Sequence, residues 1–172
     1  ANGAGAAAAV VSIIDTTTLA SFGITATAAE LNYNDITTLG TSEASKVVTA
    51  DSNGVVTFDN GIYEEFTAVT SSSAATTINL RDGTNFGHTL TENTTFAFTN
   101  PAASGKVSGF TLKLVQDASA SSFAANFPAS VKWAGGSAPT PTATANAVDI
   151  YIFYTHDGGT TYYGFRAGAD LK

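Results

Sequence analysis

The 172-residue chain has no cysteine, no methionine, one tryptophan and four prolines. Without cysteine there is neither a disulfide framework nor a thiolate metal site. A Cys-free chain also suits life outside a cell. Charge is scarce: Asp, Glu, Lys and Arg make up 12% of the residues, about half the usual share of a soluble domain. Seven basic residues against 14 acidic ones leave a net charge of −7. A diffuse acidic surface with no Lys/Arg cluster repels phosphate backbones, so nucleic acid is not an expected partner. The longest strongly apolar runs, such as Ile150–Tyr154, are too short to cross a bilayer, and no membrane insertion is expected. Ala6–Ile14 is apolar but lacks the basic flank of a signal peptide. The first residue is Ala1, which fits a processed end or a fragment boundary.

What is abundant is small: Ala, Thr and 16 glycines. Residues 1–60 are small-residue-rich and polar, whereas 61–172 carry most of the aromatics, and the turn-forming Asn60-Gly61 marks the boundary. The opening Ala/Gly run cannot bury enough surface to offset its ordering entropy and is expected to order only against other chains. Thr27 followed by Glu30 fits a capping box at the start of one short helix. Asn32, Asn34 and Asp35 limit that helix to two turns or fewer, and Leu31, Ile36 and Leu39 are its only anchors. Val47-Val48 and Val55-Val56 flank Asp51-Ser-Asn-Gly54 and predict a hairpin.

From Ile62 onward, short strands alternate with turn clusters. The expected strands are Tyr63–Ala68, Thr76–Leu80, Gly87–Leu90, Thr94–Phe98, Lys106–Gln116, Ser122–Phe127, Ala147–Thr155 and Thr161–Ala167. This spacing predicts a mostly β chain with a C-terminal antiparallel β-sandwich or jelly roll behind an extended stalk. Phe110, Leu112 and Leu114 alternate with Thr111 and Lys113, so one face of that strand is buried. The last hairpin is apolar on both faces: Val148, Ile150, Ile152 and Tyr154 point one way, and Tyr151 and Phe153 the other. Beyond the Asp157-Gly-Gly turn, Tyr163 and Phe165 lie opposite Tyr162. One core explains one face; a loop or another subunit covers the second, and another subunit is favoured.

Chemistry-bearing patterns are sparse. His88 and His156 have no ligand partner at helical or strand spacing, and no nucleotide-binding, metalloprotease, nucleophile-elbow or calcium-loop pattern occurs. Glu64-Glu65 is the only adjacent carboxylate pair, and neighbours on a strand face opposite sides, which does not suit a glycosidase pair. No metal site and no cofactor are expected, and the chain is read as a non-enzyme. Trp133, Tyr162 and Tyr163, with His156 and Asp157 as polar fixers, are the candidate sugar-binding residues, because large rings with one polar edge suit stacking.

Thr25-Ala-Thr-Ala-Ala-Glu-Leu-Asn-Tyr-Asn-Asp resembles an element of bacteriophage tail fibres, especially those of marine phages. The following Ser42–Val56 segment is similar to their linkers. Trp133-Ala-Gly-Gly-Ser-Ala-Pro, Asn146–Thr155 and Asp157–Phe165 resemble their terminal domain. The resemblance, over about residues 16–172, implies a homotrimeric fibre-like protein of the virion, in contact with other virion proteins. Its β-rich module would touch a host-surface glycan or protein. The family carries no agreed catalytic residues. Leu31, Ile36 and Leu39, with Tyr151 and Phe153, form the expected oligomer interface. A capsid decoration, an architectural filament subunit without a receptor, and a bacterial extracellular adhesin are the alternatives.

Overall fold

The computed structural model describes residues 23–172; the expectations for the Ala/Gly run and for Val10–Ile14 lie outside the described residues. The chain divides into two compact units, Ala1–Ile62 and Tyr63–Lys172.

In the first unit, α1 (Ala28–Leu31) begins at the predicted capping box: Glu30 N–H donates to the Thr27 hydroxyl while the Glu30 carboxylate accepts from Thr27 N–H at 2.6 Å. A 3-10 turn, Asn32–Asn34, follows. The rest is held by backbone bonds, Val47 N–H to Tyr33 O, Ser42 N–H to Thr57 O and Thr57 N–H to Gly40 O, and by side chains bonding to backbone. The Glu43 carboxylate accepts from Thr37 and Thr38 N–H, Lys46 Nζ donates to Asn32 O, and Asp51 Oδ1 accepts from Asn53 and Val55 N–H. The expected hairpin stops at its turn. Gly54 N–H donates to Asp51 O and Asp51 N–H to Val55 O, but no strand ladder extends beyond them. Adjacent valines point to opposite faces of a strand, and a lone two-stranded ribbon offers no third layer to bury either. Val47, Val48, Val55 and Val56 are all exposed. Among the described residues of this unit only Gly40 is buried, and no apolar side chain is.

The second unit contains nine strands: β1 (Phe66–Ala68), β2 (Ala75–Asn79), β3 (Asn85–Thr89), β4 (Thr94–Thr99), β5 (Ser108–Val115), β6 (Ala125–Asn126), β7 (Val131–Trp133), β8 (Val148–Thr155) and β9 (Tyr162–Leu171). They form a six-stranded sheet, β1-β3-β5-β8-β9-β7, and a three-stranded sheet, β2-β4-β6. The antiparallel expectation is corrected here. From β1 to β6 the chain alternates between the sheets, and each strand pairs in parallel with the next but one. Antiparallel pairing begins only at β5–β8 and β8–β9. Period-two alternation reports which side chains point inward, and those positions are alike in a hairpin and in an arch that crosses to the other sheet.

Side chains from both sheets share one apolar core. Ile78 and Phe96 come from the smaller sheet; Phe86, Phe110, Leu112, Leu114, Tyr151, Phe153 and Tyr162 come from the larger. Rings fill its centre, with Phe110 and Phe153 stacked at 4.9 Å and Phe98 edge-on to both. Each fully buried ring of this size contributes about 1.5–3 kcal/mol. Tyr151 and Phe153 have no solvent exposure. They belong to this unit's own interior and are not available to a second chain, which corrects their assignment to the oligomer interface. Ile78 and Phe96 of the smaller sheet belong to the same buried cluster.

Candidate functional site

β8 and β9 pair so that Tyr154 faces Tyr163 and Ile152 faces Phe165. With Tyr151, Phe153 and Tyr162 turned into the core, these four point outward. Tyr154 stacks on Tyr163 at 5.1 Å and lies nearly parallel to Phe165 at 6.3 Å, and the His156 ring continues the row over Tyr163 at 6.0 Å. Ile152 is 41% exposed, Tyr154 39% and Phe165 51%. A row of flat rings therefore stands on the outer face of two inner strands of the six-stranded sheet.

The turn that carries the row is fastened by Asp157. Its carboxylate accepts from the Thr155 hydroxyl and from Thr161 N–H, both at 2.9 Å, and Gly159 N–H donates to the Thr155 hydroxyl. The Thr161 amide, above all, holds the Asp157 carboxyl below its ordinary range. Asp157 is thus spent on the turn rather than presented to a ligand. Tyr162 is 2% exposed, so it is corrected from ligand contact to core residue; burial, then the Asp157 charge, raises its phenol and keeps it neutral. Of the five candidate ligand residues, only Tyr163 and His156 lie side by side.

Trp133 ends β7 and is half-buried. It packs on Phe127 at 5.2 Å and Phe153 at 5.6 Å, against the side of Gly164, where a Cβ would come within 2.8 Å of the indole. Its free edge lines a shallow cavity of about 320 Å³ together with Ser137, Pro139, Phe165 and Arg166. Phe165 therefore belongs both to the ring row and to the Trp133 cavity.

Sequence reasoning missed Asp149. This buried carboxylate accepts from Thr142 N–H at 2.9 Å, the Thr142 hydroxyl at 2.8 Å and Asp170 N–H at 3.0 Å, with the Arg166 guanidinium 3.8 Å away. It ties the Pro/Thr-rich segment to the end of β9. An Asp at an inward position of an otherwise apolar strand was the available signal. Burial first, and then the Asp149 charge, raises the Tyr151 phenol, so it too stays neutral. Glu64 is occupied by the Thr84 hydroxyl and the Asn85 amide. Among the described residues no three His, Asp or Glu side chains gather where an ion could sit, and no helix is long and apolar enough to cross a membrane. Leu31 and Leu39 are exposed and Ile36 is half-buried.

No protein-family model, curated protein or solved structure matches this chain.

Proposed function

We propose that the chain is a non-enzymatic structural protein of a phage virion, a homotrimeric fibre subunit whose C-terminal β-unit attaches to the host surface. The observation that carries this reading is that the described part of the first unit buries no apolar side chain, while Leu31, Leu39, Val48, Val55 and Phe58 stay exposed in the chain as a whole. A segment so built would gain an interior from further copies of itself, because side chains left in water contribute no burial energy. Three copies would then converge on Leu31, Ile36 and Leu39. In the second unit the two sheets would face each other as a sandwich, with the row Phe165–Tyr154–Tyr163–His156 as the contact surface. Each contact would be weak, and several held on one particle would act at a high effective concentration.

The ring row also favours a second reading, a purely architectural role in a capsid decoration or filament, because exposed aromatic side chains are typical of subunit interfaces. One variant separates the two. Under the attachment reading, Phe165→Ala leaves the solution mass unchanged, and the purified variant loses at least about tenfold of the wild-type protein's ability to compete with the phage for host cells. A lowered mass with unchanged competition would instead support the architectural role.

A further inference from the structure

A second cavity, of about 310 Å³, lies on the β1–β3–β5 part of the larger sheet. Gly87 lies against the ring of Phe66, and a Cβ at position 87 would run into that ring. A glycine in mid-strand signals such a close approach. Phe66 is nonetheless 60% exposed, so much of its surface remains free. Ser71, Thr89 and Thr91 bring hydroxyls to the lining, and Lys113 brings its only charged side chain. The Ser71 hydroxyl oxygen is buried and has no hydrogen-bond partner. Leaving a buried hydroxyl unpaired is costly, which points to a partner that the protein itself does not supply.

We propose that this cavity binds one acidic sugar residue, a pyranose bearing a carboxylate. An apolar ligand would leave Ser71 and Lys113 unmatched. A phosphate group would meet the Lys113 ammonium as a point charge, but it has no apolar face to set against Phe66. A sugar ring has an apolar C–H face for Phe66 and hydroxyls that both donate to and accept from Ser71, Thr89 and Thr91, and its carboxylate meets the ammonium of Lys113. The volume lies at the lower end of ligand cavities, about 300–1,000 Å³, which suits one ring rather than a longer chain. This site is separate from the ring row on β8–β9. Its binding is read on the purified protein alone, so it stands or falls independently of where the chain sits on a particle.

The test titrates the full chain with methyl glucuronide and with methyl glucoside, following the amide resonances of Ser71, Thr89 and Lys113. The glucuronide shifts these resonances with a Kd on the order of 1 mM, and the neutral glucoside binds at least about fivefold more weakly. Lys113→Gln reduces glucuronide binding to the level of the glucoside. Ser71→Ala weakens both sugars about three- to tenfold without lowering the unfolding temperature, since the hydroxyl has no partner to lose. Two results overturn the proposal: resonances that stay in place up to about 50 mM glucuronide, or glucuronide binding by Lys113→Gln equal to that of the wild type.

Discussion

At the scale of single residues, the side chains that matter most are polar ones with a structural task. Asp149 satisfies two backbone amides and a hydroxyl in a place that water does not reach. Asp149→Ala leaves those donors unpaired and is expected to cost about 3 kcal/mol in urea unfolding. Asp149→Asn, which keeps one acceptor oxygen, costs less; equal losses for the two would mean that the oxygen kept in Asn contributes nothing. Asp157 gives a pH dependence with a definite sign. Its folded pKa lies below the ordinary 3.8 because Thr161 N–H, then the Thr155 and Thr161 side chains, stabilise the anion. The stabilisation is therefore complete above 3.8 and is lost as the pH falls through the lower, folded value. The Thr161 amide proton should titrate with a midpoint under 3.8, and Asp157→Asn should abolish that titration. A midpoint at or above 3.8 would contradict the bonding described here.

At the scale of elements, the two faces of β8 make opposite predictions. Phe153→Ala opens a cavity in the ring cluster and should cost about 3–5 kcal/mol. Ile152→Thr, one residue earlier on the outer face, should change stability by no more than about 0.5 kcal/mol. If both variants destabilise alike in denaturant titrations, the outer face is covered by another chain. The alternation around Phe110, Leu112 and Leu114, and that of Tyr151 and Phe153 against Ile152 and Tyr154, was legible in the sequence because period two is a local property. Which of the two apolar faces is the interior was not legible, because that depends on a second sheet assembled from β2, β4 and β6. Parallel pairing was hidden for the same reason. The Asp51–Gly54 turn was legible, but whether strands continue from it depends on a packing surface that no local pattern reveals. The Thr27–Glu30 capping box was legible in full, since both partners lie within one turn. The Gly87–Phe66 contact joins residues 21 positions apart in sequence, and no local pattern announced it, because the expected strand began at Gly87 whereas β3 begins at Asn85.

At the scale of the whole molecule, the two units are stabilised in different ways. Tyr63–Lys172 has an aromatic interior of its own. The described residues before it are held by backbone and side-chain hydrogen bonds, with none of their apolar side chains fully buried. A net charge of −7 spread over 172 residues is modest enough for copies to pack side by side, particularly where salt screens surface charge over about 8–10 Å. Under the proposed trimer, self-association would belong to the first unit and the ring row on β8–β9 would be left for a different partner. The most direct measurement is the mass of the full-length chain in solution by light scattering, at low micromolar concentration and physiological salt. Trimerisation predicts three times the 17.5 kDa chain mass, falling when Leu39→Ser is introduced, whereas a stable species at the mass of one chain would contradict it.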